Sequence, residues 1–263
     1  MTILFTICGR AGSKGFKNKN LKEMRGVPLA FFSLATIKGY MEKHLDDSVY
    51  VALNTDSDPL VDLIKEQNVV PVRFVHRKEE LAGDTVAKVE VIKDTLLSCN
   101  DISPDVVVDL DITSPMRRVE DIEKIVDEYK KGTYDLVFSV VEARRSPYFN
   151  MVEKKQDGFY RKICEAKYTA RQQAPKSYEM NASIYAYSPV FLKGEITKTI
   201  IDYNCGISVM PDYLVLDIDS EEDFKMMQYL HEFYCMSDSK LMDVYKIAKE
   251  IQEFSAKRKS IYF

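Results

Sequence analysis

Two stretches, one near each end of the chain, carry residue types whose chemistry fits together. The first is Gly9-Arg10-Ala11-Gly12-Ser13-Lys14-Gly15-Phe16-Lys17-Asn18-Lys19-Asn20, with three glycines at intervals of three, a hydroxyl, and cations at Arg10, Lys14, Lys17 and Lys19. Glycines let a backbone turn tightly and approach a ligand closely. Exposed N–H groups beside clustered cations suit a polyphosphate. The second stretch is Asp217-Ile218-Asp219 at the end of an apolar run. Alternation along a strand would turn both carboxylates to one side. Side by side they repel unless a cation or proton intervenes. Such an oxygen-only pair suits Mg²⁺ bridging phosphates.

The N-terminal loop follows neither widespread phosphate motif. Five places after Gly9 stands Lys14, where a Walker loop needs its second glycine. Two places after Gly9 stands Ala11, where the dinucleotide fingerprint needs glycine. Arg10, Ser13, Lys14, Gly15, Lys19 and Asn20 do reproduce a different signature, Arg-x-x-Ser-Lys-Gly followed by Lys-Asn. In this stretch the chain resembles the acylneuraminate cytidylyltransferases (CMP-sialic acid synthetases).

Further motifs occur in the order that family has them. His76-Arg77-Lys78-Glu79-Glu80-Leu81-Ala82-Gly83-Asp84-Thr85 resembles its Arg-Pro-x-x-Leu-Ala-x-Asp-Thr segment, with Lys78 in place of the proline. Asp111-Ile112-Thr113-Ser114-Pro115-Met116-Arg117 resembles Gln-Pro-Thr-Ser-Pro-Leu-Arg, with Asp111 for the glutamine and Ile112 for the first proline. Arg171-Gln172-Gln173-Ala174-Pro175 matches Arg-Gln-x-x-Pro, and Asn181-Ala182-Ser183-Ile184-Tyr185 resembles Asn-Gly-Ala-Ile-Tyr. The family's metal-binding Asp-x-Asp falls on Asp217 and Asp219.

The resemblance implies transfer of CMP from CTP to a sialic-acid-type keto-acid sugar, with release of pyrophosphate and Mg²⁺ as cofactor. It implies that Arg10, Gly12, Ser13 and Lys19 hold the triphosphate, that Asn20 and Arg77 lie around the cytosine, and that Arg10, Lys19 and Asp219 serve catalysis. Asp111, Thr113, Ser114, Arg171 and Gln172 are the expected sugar contacts, with Arg171 suited to a carboxylate or the phosphates. An acid at 111 changes the charge offered to the sugar, so legionaminic, pseudaminic or Kdo acid remain alternatives. Asp109 or Asp111 could instead help to hold a metal. A glycosyltransferase with its Asp-x-Asp at Asp109-Leu110-Asp111 is the reading from another reaction class, and a catalytically dead nucleotide-binding regulator is a third.

The elements that must position these residues alternate between two periods. Apolar runs at 3–8, 48–53, 69–75, 106–108 and 136–141 read as strands, and 28–41, 58–67, 86–97 and 119–129 as helices. That alternation predicts an α/β fold, a doubly wound, mostly parallel sheet, whose ligands gather at the carboxyl ends of the strands. Asp84 or Thr85 is a candidate cap for the helix beginning at Val86. Between 142 and 180 the alternation is lost and Arg, Lys, Tyr and Gln accumulate; this resembles the family's inserted dimerisation segment. The expected organisation is a nucleotidyltransferase domain over 1–141 and 181–235, the insert over 142–180, and a helical extension over 236–263. Leu241, Val244, Ala248 and Ile251 give that extension a packing stripe, with a basic tail at Lys257-Arg258-Lys259, and a place in the subunit interface of a homodimer is open to it.

Composition narrows the rest. With 37 basic and 41 acidic residues the net charge is −4, which disfavours general nucleic-acid binding. The 5 cysteines show no CxxC spacing, so no disulfide or zinc framework is expected. No apolar run reaches the ~18 residues of a membrane span. The chain opens on its first strand without a signal peptide's charged start, so a cytoplasmic location is expected.

Overall fold

A computed structural model describes residues 1–12 and 15–259, with side chains to residue 256. The apolar start forms β1 (Thr2–Gly9), and the loop after it leads through a small hairpin, β2 (Glu23–Met24) and β3 (Val27–Pro28), into α1 (Leu29–Lys43). There follow β4 (Ser48–Thr55), α2 (Asp58–Gln67), β5 (Arg73–His76), α3 (Lys88–Ser98), β6 (Val106–Leu110), α4 (Val119–Lys131) and β7 (Leu136–Glu142). The segment that breaks the alternation contributes a separate hairpin, β8 (Val152–Lys154) with β9 (Tyr160–Lys162). The chain then returns through β10 (Tyr178–Tyr187), α5 (Pro189–Lys193), β11 (Cys205–Val209), α6 (Glu221–Cys235) and α7 (Ser239–Lys259).

The described residues build a seven-stranded sheet in the order β11-β7-β10-β6-β1-β4-β5. Only β10 runs against its neighbours; the other pairings are parallel. Period-two alternation sorts β1 onto both faces. Ile3, Phe5 and Ile7 pack beneath α1, α4 and α7, while Leu4 packs with Val89, Ile92 and Leu96 of α3. Helices on both faces of a sheet buried on both sides make the doubly wound architecture.

Register does the positioning. Gly9 pairs with Thr55, Thr55 with His76, and Thr6 with Asp109, so the carboxyl ends of β1, β4, β5 and β6 lie along one rim. The glycine loop, Asp56, Arg77 and Asp111 all leave the sheet from that rim. The stripe Leu241, Val244, Ala248 and Ile251 is buried, with α7 packed on α1, so these apolar side chains are used within the chain. The side chains of Lys257, Arg258 and Lys259 lie outside the described residues.

Three local expectations are corrected. The strand expected from Val69 starts only at Arg73, because the Gln67 side chain captures this stretch: its Oε1 accepts from the N–H groups of Val69 and Val70, and its Nε2 donates to Val70 O. The helix after Asp84 starts at Lys88 with Ala87 at its N-cap and no side-chain cap, because Asp84 turns to Arg10 instead. Asp217 to Asp219 lies outside the sheet. The N–H of Ile218 reaches Thr113 O, that of Asp219 reaches Asp223 Oδ2, and Ser220 with Asp223 closes a capping box on α6.

Candidate active site

The rim encloses a cleft of about 280 Å³ lined by Arg10, Lys19, Asn20, Arg77, Lys88, Asp111, Thr113 and Asp217 among others. The glycine loop is fixed from both sides. Asp56 Oδ1 accepts from Ala11 N at 2.7 Å, Gly12 sits at φ +79°, and Asn20 Nδ2 donates to Arg10 O at 3.2 Å. Gly15 lies so close to the backbone of Asp219 that a Cβ there would stand 2.7 Å from its carbonyl oxygen. Ser13 and Lys14 lie outside the described residues.

Lys19 joins the glycine loop to the late acidic segment, 200 residues further along the chain. Its ammonium donates to Ile218 O at 2.8 Å and to Asp219 Oδ1 at 3.1 Å. Asp217 lies on the cleft wall, where its Oδ1 accepts from Ile218 N at 2.8 Å and from Ser114 Oγ at 3.3 Å. Burial, then repulsion from Asp111, pushes its carboxyl above the ordinary range. Asp219 stays exposed. Arg10 and Lys19 of the loop therefore share one cavity with Asp217.

Arg10 forms an ion pair with Asp84 across the mouth of the cleft. Both side chains are about one-third exposed, so the pair is worth about 0–1 kcal/mol and exchanges easily for a phosphate. Arg77 is buried, with Nε on Asn54 Oδ1 and Nη2 on Asn54 O, both at 3.1 Å.

The floor holds a group that the sequence reading missed. Lys88, in the first turn of α3, places its ammonium 2.7 Å from Asp109 Oδ2 and 2.6 Å from Asp111 Oδ2. Burial opposes its charge, but the two carboxylates outweigh that and hold its pKa well above the ordinary lysine value. Burial likewise works against Asp111, yet Lys88 and the donors of Thr113 bring its carboxyl down to about 2. The cation that balances Asp109 and Asp111 is thus a lysine of the chain. This corrects the expectation of a metal at that pair, and with it the glycosyltransferase reading that placed its Asp-x-Asp there. A signal was present: Lys88 lies on the helical stripe of Ile92, Thr95 and Leu96, all buried, where a charged residue calls for a partner.

Arg117 is fully buried and holds the floor loop in shape. It donates to Ser33 Oγ, Ser183 Oγ, Ser114 O and Asp111 O. Arg171 and Gln172 are not brought to the cleft. They line a separate cavity of about 270 Å³ with Glu142, Arg145 and Pro175, and Arg171 Nη2 donates to Ala143 O at 3.1 Å.

Residues 4–253 match the family model described as cytidylyltransferase. The chain belongs to the cytidylyltransferase family. It is a nucleotidyltransferase. This cytidylyltransferase is 36% identical over 233 residues to post-translational flagellin modification protein B of Campylobacter coli, covering 87% of the chain and 94% of that protein. It is 34% identical over 232 residues to CMP-N,N'-diacetyllegionaminic acid synthase of Campylobacter jejuni subsp. jejuni serotype O:2, with the same coverage. Its fold resembles that of CMP:2-keto-3-deoxy-manno-octonic acid synthetase solved with CTP, at a TM-score of 0.62 and 12% identity, over 89% of this chain and 100% of that one.

Proposed function

We propose that this cytidylyltransferase activates a sialic-acid-type nonulosonic acid with CTP, giving the CMP-sugar and pyrophosphate. The carrying observation is that Lys19, which lines the cleft with Arg10, Asp111 and Asp217, also meets the Ile218–Asp219 segment. Arg10 and Lys19 bind the triphosphate, with Arg10 exchanging Asp84 for a phosphate oxygen. Arg77 and Asn20 take the base end. The sugar lies over Asp111, Thr113 and Ser114, its anomeric 2-hydroxyl in line with the α-phosphorus. The new P–O bond forms as the α–β bridge breaks, and little covalent chemistry is asked of the protein beyond positioning and charge compensation.

The residues present suit Mg²⁺. Among the described residues no cluster of three or more His, Cys, Asp or Glu forms a metal site, but a magnesium ion held with substrate phosphates needs only one or two carboxylates. Asp217 with its raised pKa is a carboxylate short of positive charge, and Asp219 is exposed beside it. When bound, Mg²⁺ supplies charge neutralisation and lowers the pKa of the attacking hydroxyl.

A homodimer fits the insert. Val152, Phe159 and Tyr160 on the β8–β9 hairpin are 58–69% exposed, an apolar surface that a second copy would cover. Arg171 and Gln172, held in their own cavity, would then serve the partner's sugar site. No helix among the described residues is long and apolar enough to cross a membrane, and CTP as substrate supports a cytoplasmic place of work.

The 34% relative named for a diacetyllegionaminic acid, together with Asp111 in place of the family glutamine, favours one second reading: the same reaction on a legionaminic-type acid. Pyrophosphate release from CTP, measured against acylneuraminic, legionaminic, pseudaminic and Kdo acids, tests both. Turnover of a nine-carbon acid supports the proposal, with the preferred acid choosing between the two readings. Turnover of Kdo alone, or of no keto acid at all, overturns it.

A further inference from the structure

We propose that Lys88, acting with Asp111, is a specificity-determining residue that reads one hydroxyl of the sugar; this rests on the reading of the cleft as a site for CTP and a keto-acid sugar. An ammonium has three N–H groups. One donates to Asp111 Oδ2 at 2.6 Å, and the ammonium stands 2.7 Å from Asp109 Oδ2 as an ion pair. The side chain is 33% exposed on the cleft wall, with the Tyr185 ring 5.8 Å from the ammonium, which leaves a third N–H for an acceptor in the cavity.

Asp111 complements it. Its Oδ1 already accepts from Thr113 N at 3.1 Å and Thr113 Oγ1 at 2.9 Å, while Oδ2 takes Lys88. A carboxylate oxygen accepts about two hydrogen bonds, so Oδ2 retains one free lone pair beside the free ammonium proton. A neighbouring donor and acceptor match a single hydroxyl, which accepts from Lys88 and donates to Asp111. A secondary amide holds its N–H and C=O on opposite sides and cannot satisfy both.

Charge excludes the other tenants. Lys88 and the buried Arg117 stand against three carboxylates, Asp109, Asp111 and Asp217, so the floor carries net negative charge and repels a phosphate or the sugar's own carboxylate. Those anions belong at the loop, where Arg10 and Lys19 stand. What remains for Lys88 and Asp111 is a neutral polar group of the sugar.

The test pairs enzyme variants with a set of monodeoxy analogues of whichever keto acid the wild type turns over. For one analogue the wild-type sugar KM should rise about 10- to 100-fold, the range of a hydrogen bond to a charged group. In Lys88→Met the sugar KM should rise similarly, the same analogue should bring little further loss, and the KM for CTP should stay put. Lys88→Arg keeps the charge against Asp109 and Asp111 and guards against a folding failure of the methionine variant, while its planar fork places its protons elsewhere. It should show the same split between the two substrates. Losses that multiply fully in the variant–analogue pairs, or an equal rise in KM for CTP, overturn the assignment. Failure of the parent reading would look different: the wild type would bind CTP in calorimetry and turn over no keto acid.

Discussion

Replacing Lys19 by methionine keeps the side chain's apolar stem and removes its ammonium, which isolates what the charge does. In the folded protein that charge has two partners of unequal worth. The bond to Ile218 O is made by a side chain only 17% exposed, and a hydrogen bond from a charged group contributes about 1.5–3 kcal/mol. The pair with Asp219 adds little, because that carboxylate is 81% exposed and solvent screens it to about 0–1 kcal/mol. At about 2–4 °C per kcal/mol for a domain of this size, the melting temperature should drop by about 3–12 °C. A fold stable by about 5–15 kcal/mol remains folded at 25 °C after such a loss, so unfolding cannot account for a large fall in rate. Removing one preorganised charge from a developing pyrophosphate should lower kcat by roughly 10²–10³. Continuous assay of pyrophosphate release at saturating sugar, beside thermal melts with and without CTP and Mg²⁺, reads both quantities. A lower melting temperature with kcat within about threefold of wild type would make Lys19 only a tie between the glycine loop and the acidic segment.

Arg10→Ala should lower kcat by roughly 10²–10³ and leave the melting temperature nearly unchanged, since its pair with Asp84 is exposed; wild-type turnover would refute its place on the phosphates. Asp217→Asn or Asp219→Asn should raise half-saturating Mg²⁺ by at least about tenfold in the same assay, and an unaltered Mg²⁺ titration would count against the pair as ligands. His231 is buried among Phe32, Tyr245, Cys235 and Arg25, and burial followed by the Arg25 charge brings its pKa down to about 4. Below about pH 6.5 the unfolded chain takes up a proton that the folded imidazole refuses until about pH 4, so stability should fall across that window by up to about 3 kcal/mol. His231→Gln, which keeps an acceptor for Arg25, should flatten that slope in melts between pH 7 and 4; an unaltered slope would place the acid sensitivity in other groups.

Most of the site's frame is legible because it rests on period and punctuation. Val106 to Leu110 lies at the middle of the sheet because a run of apolar residues that short, between helices, has no other way to bury both faces. The glycine loop, Asn20, Arg77, Thr113 and Asp217 follow onto one rim once the strands are parallel and in register. What escapes is decided by long-range side-chain choices. Gln67 caps its own turn and shortens β5; Asp84 leaves the helix start for Arg10, 74 residues away; Asp223 draws in the N–H groups of Asp219 and Ser220 and keeps the Asp-x-Asp out of the sheet. Ala182 takes φ +52° at the irregularity between Met180 and Tyr185, where the family motif carries glycine, a conformation that composition and hydrophobic period do not encode.

The distribution of charge along the cleft gives the substrates a direction. Arg10, Lys19 and Arg77 lie toward the loop and the ends of β1, β4 and β5, where, among the described residues, Arg77 meets no carboxylate in its own hydrogen bonds and Arg10 meets only an exposed one. Asp109 and Asp111 gather at the end of β6 around the ammonium of Lys88, with Asp217 on the same cleft wall and Arg117 Nη2 on Asp111 O. A triphosphate laid the other way would set several negative charges on a floor already short of cations, at a cost that grows as water is excluded. Laid with its tail on the loop, it brings the α-phosphorus to the boundary between the two regions, which is where Asp217 stands and where extra positive charge is needed. The boundary between cationic rim and acidic floor is therefore where a divalent ion and the reacting atoms belong together, and it follows from the same register that levels the strand ends.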